Sequence, residues 1–283
     1  MKKELNKRIN ISPALIIVLL TLLTRLIILY FTSIAHQGDL SVLINIDEAR
    51  YIKEAGTILN QSTLPWDVPF YPIFLSIFFK IFGTSYLLAS ILNIILFSVA
   101  LGVFYSTITS FFGKARALIS AAILICYPTL LIDILYPAAE ALYLLLLSLL
   151  FYTFLNYLKY EKKIYGALTA VILGLLTLTK ETFILFPVII MAIIFIRYLP
   201  ELKRSLQKIF FLAFIYIFML LPLLTYNYHT YGKFALSQKM ARITETLPAN
   251  LTPINKEKAS ALKKTNSIAS IKNFLWERKR FFL

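Results

Sequence analysis

Residues 12–34 read SPALIIVLLTLLTRLIILYFTSI, and this stretch decides the class of fold. A helix over these residues is about 34 Å long, which exceeds the roughly 30 Å hydrocarbon core of a bilayer. The run is too long for the h-region of a signal peptide, and no small-residue cleavage site follows it. We therefore predict an uncleaved first membrane span. Its one charged residue is Arg25, which we expect to pair inside a helix bundle, for structure or for function.

Apolar runs continue along the chain. Of its 283 residues, 59% are hydrophobic and 15% are charged, and the mean hydropathy is +0.76, which is too apolar for a soluble domain. The run at 69–82 reaches only about 21 Å as a helix, so we expect it to lie in the membrane interface. We predict an all-α, polytopic membrane protein with this interfacial helix and about seven transmembrane helices, near 12–34, 85–111, 116–134, 138–158, 164–179, 182–199 and 208–226.

Basic residues lie at the N-terminus and in alternate connections between these spans. The positive-inside rule puts such segments in the cytoplasm, so we predict a multi-pass protein of the cell (plasma or inner) membrane with a cytoplasmic N-terminus and contacts to membrane lipids. The formal charge of +15 is spread over loops rather than clustered on one face, and we expect no nucleic-acid partner. These residues are Lys2, Lys3, Lys7, Arg8, Lys114, Arg116, Lys159, Lys162, Lys163, Lys203, Arg204 and Lys208.

The chain divides into two parts by composition. Residues 1–226 form the predicted membrane domain, and residues 227–283 form a polar tail with eight lysines and three arginines against three acids. The topology makes this tail an extracytoplasmic loop, although its charge opposes the rule. Long segments translocate despite their charge, which reduces the conflict.

Most carboxylates lie on the side opposite the basic loops. These carboxylates form a second polar surface, which is acidic rather than basic, and we expect a catalytic or binding site on this side. The two histidines and the single cysteine, Cys126, exclude a disulfide within the chain and a metal site built on those residue types. The carboxylates are Asp39, Asp47, Glu48, Glu54, Asp67, Asp133, Glu140 and Glu181.

Two short motifs on this side contain ionisable groups. Residues 47–51 read DEARY, and adjacent carboxylates can bind a divalent cation or accept a proton from an attacking hydroxyl. The alternative is an ordinary helix start, where Asp47 and Glu48 favour the positive end of the helix dipole. Lys180 and Glu181 lie in the turn TLTKETF, which is either a solvated hairpin or part of a site.

The order of these motifs resembles the polytopic glycosyltransferases of the C-type superfamily that use lipid-linked sugars, in the protein O-mannosyltransferase and aminoarabinose-transferase-like branch. The resemblance covers about residues 12–245. It rests on the acidic pair with Tyr51, a P-x-Y-P segment closing with Phe-Gly, an aromatic-Gly basic turn, a proline followed by a glutamate, an L-T-K-E hairpin and P-x(4)-N-x(4)-G. The matching positions are Asp47, Glu48, Tyr51, Pro69, Tyr71, Pro72, Phe82, Gly83, Phe112, Gly113, Lys114, Arg116, Pro128, Glu140, Leu178, Thr179, Lys180, Glu181, Pro222, Asn227 and Gly232.

The resemblance implies transfer of a sugar from a polyprenyl-phosphate donor to a glycan, lipid or protein acceptor at the extracytoplasmic face. Under an inverting mechanism, Asp47 deprotonates the acceptor or, with Glu48, holds a divalent cation such as Mg²⁺ or Mn²⁺. Lys180 and Arg50 offset the charge on the departing phosphate. The remaining implied substrate contacts are Tyr51, Trp66, Tyr71, Glu140 and Asn227.

A different class of function stays open from the residues alone. A carrier or flippase for lipid-linked intermediates, or a non-catalytic membrane subunit, would also be polytopic. Transporters favour ionisable groups near the bilayer midplane, whereas here only Arg25 is deep, so the enzyme is the favoured interpretation. Members of the family usually continue through further spans, which leaves two interpretations of the segment that ends at Leu283: an amphipathic segment bound to anionic lipid headgroups, or a chain cut short before later helices.

Overall fold

The computed structural model describes residues 12–36, 46–61, 64, 68–127, 130, 133–232 and 234–237. In these residues the fold is helical, which confirms the predicted class. Short 3₁₀ turns at Glu181–Leu185 and Leu199–Glu201 connect the later helices. The α-helices are α1 Pro13–Ala35, α2 Ile46–Gln61, α3 Phe70–Phe82, α4 Tyr86–Phe112, α5 Lys114–Cys126, α6 Glu140–Tyr160, α7 Lys163–Thr179, α8 Phe186–Arg197 and α9 Leu202–Tyr231.

Helix α4 lies at the centre of the bundle and packs against α1, α5 and α6, while α7 packs between α6 and α9. Small residues bring these helices close together, as is usual where lipid replaces water as the solvent. A Cβ atom at Gly102 of α4 would lie 2.5 Å from Val18 of α1, and one at Gly174 of α7 would lie 2.7 Å from Met219 of α9. A larger side chain at either glycine would therefore force the helices apart.

Within the described part of the chain, four helical segments are long and apolar enough to cross a membrane: Pro13–Ala35, Tyr86–Phe112, Glu140–Tyr160 and Leu199–Thr230. The count of seven crossings remains a prediction, because α3, α5, α7 and α8 are shorter. Tyr71 at the start of α3 bonds to Asn93 of α4, and Gly83 at its end is followed almost at once by α4. The interfacial position of α3 stays a prediction.

Helix α5 differs from the predicted span at 116–134, because it ends at Cys126. The carbonyl groups of its last turn have no partners further along the helix. Arg25 of α1, which has no exposed surface, donates from Nη2 to the Ile125 carbonyl at 2.8 Å and lies 5.4 Å from the centre of the Phe97 ring. The deep arginine thus binds a helix end and an aromatic face in the described part of the chain.

The direction of the helices separates two ends of the bundle. Helix α6 begins at Glu140 and is capped by Glu161, which at 1.5 Å per residue puts these two carboxylates about 31 Å apart along the axis. The connections with basic residues, between α4 and α5, α6 and α7, and α8 and α9, lie at the Glu161 end. The tail proposed to start at 227 lies mostly outside the described residues, and α9 continues to Tyr231 without a break at that boundary.

Candidate active site

A cavity of about 520 Å³ opens at the Glu140 end of the bundle. Its wall comes from four parts of the chain: α2, the segment just before α3, the turn before α6 with the first residue of α6, and the turn after α7. The side chains in it carry four carboxylates and two cations, a formal excess of two negative charges. The lining residues are Glu48, Arg50, Tyr51, Val68, Asp133, Ala138, Glu140, Thr179, Lys180, Glu181 and Thr182.

Helix α2 supplies one wall. Glu48 and Tyr51 are three residues apart and therefore lie on the same helical face, and both line the cavity together with Arg50. The Arg50 guanidinium lies 5.0 Å from the centre of the Tyr51 ring, a distance typical of a cation–π contact. Position 47 is in the first turn of α2, but the side chain of Asp47 lies outside the described residues, as does Trp66.

Lys180 and Glu140 form the ion pair of the opposite wall. Lys180 caps the C-terminus of α7 in an extended conformation, and Glu140 is the first residue of α6. The Lys180 Nζ atom donates to Glu140 Oε1 at 2.7 Å, with side-chain exposures of 33% and 28%. Nζ also lies 4.5 Å from the centre of the Tyr143 ring. The turn at Lys180 is therefore not a solvated hairpin with a freely moving lysine.

Asp133 lies in the same cavity in an environment that disfavours its charge. Burial raises the pKa of the Asp133 carboxyl, and the neighbouring carboxylates of Glu140 and Glu48 raise it further, while Lys180 acts in the opposite direction. A carboxyl group with a raised pKa in a cleft is a common feature of functional sites. The sequence pattern places Asp133 and Glu181 among the acids of this side without indicating a role for either.

Two predicted substrate contacts lie elsewhere. Tyr71 has no exposed surface, and its ring packs edge-on against Tyr51 with centroids 5.1 Å apart. It therefore packs behind a cavity residue and exposes no face to the cavity, so its contact with a substrate stays a prediction that this conformation does not support. Asn227 is 7% exposed, its amide donates to the Ala235 carbonyl at 2.7 Å, and it is not one of the residues that line the cavity.

The residue that sequence reasoning missed most clearly is Asn93. It lies within the apolar run of α4 without exposed surface and bonds to Tyr71 of α3 and to two carbonyl groups of the turn before α6. A polar side chain in the middle of a predicted span is a sign of function or of specific packing. That signal was present in the sequence, although it could not identify the partners.

The predicted cation site at Asp47 and Glu48 needs at least one further ligand. In the described part of the chain, no three side chains of His, Cys, Asp or Glu gather around a point where they could hold a metal ion. Hard divalent cations take six or more oxygen ligands, several of them often water. The described residues by themselves do not provide such a set of ligands, and the side chain of Asp47 is not among them.

Comparison with known families gives one result. The model of the family described as dolichyl-phosphate-mannose-protein mannosyltransferase matches residues 65–226, more than half of the chain. This region includes Asp133, Glu140 and Lys180, whereas α2 with its acidic pair precedes it. No curated protein and no solved structure matches the chain. The chain therefore belongs to the dolichyl-phosphate-mannose-protein mannosyltransferase family, and its function is glycosyl transfer of the mannosyltransferase type from a polyprenyl-phosphate sugar.

Proposed function

We propose that the cavity at the Glu140 end is the active site, and that an inverting transfer of the sugar to a glycan, lipid or protein acceptor takes place there, at the extracytoplasmic face. The observation that carries the proposal is the meeting of predicted site residues in one cavity. Glu48, Arg50, Tyr51, Glu140 and Lys180 line it together, although they come from α2, α6 and the end of α7.

The donor has an apolar part and a charged part, which favour different environments. A site at the end of the helix bundle can accommodate both. Its prenyl chain belongs in the bilayer, and its phosphate belongs at the interface. Lys180 and Arg50 are the cations of the cavity, and a phosphate between them would replace part of the contact between Lys180 and Glu140. As the bond from the anomeric carbon to the phosphate oxygen breaks, negative charge grows on that oxygen, and a fixed cation stabilises the transition state more than the ground state.

The acceptor needs a base on the other side of the sugar. In a single displacement, the acceptor oxygen bonds to the anomeric carbon, polyprenyl phosphate leaves, and the acceptor proton passes to a carboxylate. We assign this role to Asp47, because position 47 lies one helical turn before the cavity residues Arg50 and Tyr51. Glu48 and Glu140 orient the sugar and the lysine, and Tyr51 offers a ring for the sugar to pack on.

The basic connections indicate which end of the bundle faces the cytoplasm. Lys114, Lys162 and Lys203 lie at the Glu161 end, so the positive-inside rule puts that end in the cytoplasm. The cavity then opens on the outer face of the plasma or inner membrane, where membrane lipids surround the bundle. A divalent cation held by Asp47 and Glu48 stays part of the proposal, and loss of transfer in a chelator with recovery in Mg²⁺ or Mn²⁺ is its test.

The experiment that tests the proposal is the variant Asp47→Asn, assayed with a polyprenyl-phosphate-mannose donor on the purified protein. Loss of the base should lower kcat at least 10²-fold, with an unchanged amount of protein in the membrane. Glu54→Gln is the matched control, because it removes a carboxylate of the same helix that does not line the cavity. Near-full activity of Asp47→Asn, combined with loss of activity in Glu48→Gln, would move the base to the neighbouring residue. Full activity in both variants would overturn the proposed site.

A further inference from the structure

Asn93 makes three hydrogen bonds from the interior of α4. Its Nδ2 donates to the carbonyl of Tyr136 at 2.5 Å and to the carbonyl of Ala138 at 2.9 Å. Its Oδ1 accepts from the Tyr71 hydroxyl at 3.2 Å. The residue has no exposed surface. One buried amide thus uses both of its N–H donors and an acceptor on groups that come from outside its own helix.

The two carbonyl groups belong to the turn that leads into α6. This turn is not helical: the Tyr136 N–H bonds to the Asp133 carbonyl at 3.3 Å, and the Ala138 N–H bonds to the Tyr136 carbonyl at 2.8 Å. Asp133 and Ala138 line the cavity, and Glu140 begins the next helix. By holding the middle of the turn, Asn93 fixes how Asp133 and Glu140 are spaced along the wall.

The third bond goes to Tyr71, which lies behind the wall that α2 forms. Tyr71 is the second residue of α3 and is fully buried. Its ring supports Tyr51, which lines the cavity from α2. The amide of Asn93 therefore connects, through one residue on each side, the wall made by α2 with the wall made by the turn and α6.

Only an amide can make this set of bonds at that position. A carboxylate of the same shape would offer no donor to the two carbonyl groups, and an aliphatic side chain would leave all three partners without Asn93. Buried polar groups that lose their partners are costly, so the turn and Tyr71 would move to find new ones. An alignment error of about 1 Å is enough to lower the rate of an enzyme roughly 10²-fold.

We propose that Asn93 is a positioning residue, which sets the distance between the two walls of the cavity and thereby aligns Lys180 and Glu140 with the residues of α2. The inference rests on the proposed function of the cavity, since positioning has a meaning only for a site. Asn93 touches no substrate in this proposal. It acts through the turn at 133–139 and through Tyr71.

Three variants test the proposal by kinetics. Asn93→Asp and Asn93→Leu should lower kcat about 10- to 100-fold with little change in KM, because prenyl binding does not depend on the alignment. Tyr71→Phe removes one bond of the three and keeps the ring behind Tyr51, so a loss of about three- to tenfold is expected. It also serves where the Asn93 variants do not fold.

Asn156 offers a matched control. It is another buried asparagine, 7% exposed, but its amide donates at 2.7 Å to the Tyr152 carbonyl of its own helix, close to the Glu161 end. Asn156→Leu should leave kcat unchanged for the folded fraction. If Asn93→Asp and Tyr71→Phe also keep full kcat in folded protein, the proposal is overturned.

A second readout does not depend on activity. Ala138→Cys, in a Cys126→Ala background, places a thiol in the turn, where Ala138 is 7% exposed. A water-soluble maleimide should label this thiol slowly in the protein that keeps Asn93. In the Asn93→Asp background, labelling should be at least several-fold faster. Unchanged labelling would show that the amide does not hold the turn. Faster labelling together with normal transfer by Asp47→Asn, Glu48→Gln and Lys180→Met would instead remove the proposed function of the cavity.

Discussion

Two lysines of this protein are held in the same way at opposite ends of one helix. Lys180 pairs with Glu140 at 2.7 Å and lies over the Tyr143 ring. Lys208 pairs with Glu161 at 3.5 Å and lies 4.9 Å and 4.7 Å from the centres of the Tyr157 and Tyr198 rings. Glu140 begins α6, and Glu161 caps it.

The surroundings of the two pairs differ in the balance of charge. At the Glu161 end, a single carboxylate receives Lys208, Arg204 and the Tyr198 hydroxyl, whose Oη donates at 2.6 Å. These contacts, with the Tyr198 hydrogen bond first, lower the pKa of Glu161. At the Glu140 end, acids outnumber cations around a cavity, and the pKa of Asp133 is raised. The same kind of ion pair thus has its charge balanced by several partners at the Glu161 end, and lies among unbalanced carboxylates in the proposed active site at the Glu140 end.

The first prediction is all-or-none and tests whether the two ends face different compartments. Single cysteines at positions 40 and 115, in a Cys126→Ala background, should be labelled by an impermeant reagent from opposite sides of the membrane, position 40 from outside. The reason is the location of the basic connections at the Glu161 end. Labelling of both positions from the same side would rule out the proposed topology.

The next prediction compares the two lysines directly. Lys180→Met should lower transfer roughly 10²- to 10³-fold, as expected for loss of a group that stabilises a developing anion. Lys180→Arg should be partly tolerated, because the charge is kept while its geometry changes. Rates per folded protein, with a polyprenyl-phosphate-mannose donor, are the measurement.

Lys208→Met is the control for that comparison, since it removes a lysine in the same kind of glutamate and tyrosine environment. It should leave the transfer rate of folded protein unchanged. Equal effects of the two variants would mean that both lysines stabilise the fold alone, and normal transfer by Lys180→Met would remove this residue from the site.

A third prediction concerns the partner of Lys180. Glu140→Gln keeps a hydrogen bond to the lysine but loses the charge. The difference between a charged and a neutral hydrogen bond is worth about 1.4 kcal/mol, so the transfer rate should fall roughly tenfold. The double variant Glu140→Gln/Lys180→Met should be no slower than Lys180→Met, because the two residues act as a unit. Additive losses would show that Glu140 acts on the substrate separately.

The smallest expected effects are on stability, and they should have opposite signs at the two ends. The pKa of Glu161 is lower in the folded protein, so its charge stabilises the fold above the ordinary carboxyl range and this contribution is lost as the pH falls through the folded pKa. Glu161→Gln should therefore lower Tm by about 2–4 °C at neutral pH, equivalent to about 1 kcal/mol for a largely exposed cluster, with no difference from the native chain in acid.

The raised pKa of Asp133 has the reverse consequence. The folded protein binds this proton more tightly than the unfolded chain, so ionisation costs stability as the pH rises. Asp133→Asn should raise Tm by about 2 °C at neutral pH. Thermal unfolding of the two variants in the same detergent checks both signs, and a loss of stability in Asp133→Asn would mean that the acid is satisfied by its neighbours.

The sequence by itself determined the features that depend on local composition. Apolar length gives membrane helices because the bilayer sets a fixed thickness, and α1 and α4 follow the predicted spans within a few residues. The separation of basic connections from acidic ones needed only the alternation of spans. The family followed from motifs in order, and the match over residues 65–226 confirms it.

Only the tertiary structure decided which of these residues meet. Several contacts join segments that lie 20 or more residues apart. They are the bond from Arg25 to the last turn of α5, the ion pair of Lys180 with Glu140, and the bonds of Asn93 to Tyr71 and to the turn before α6. No local signal contains such information, because the energy of a buried polar group depends on the partner that folding brings to it. An apolar pattern predicts that a helix enters the membrane. Which of its polar side chains come together in a site depends on the helices that pack against it.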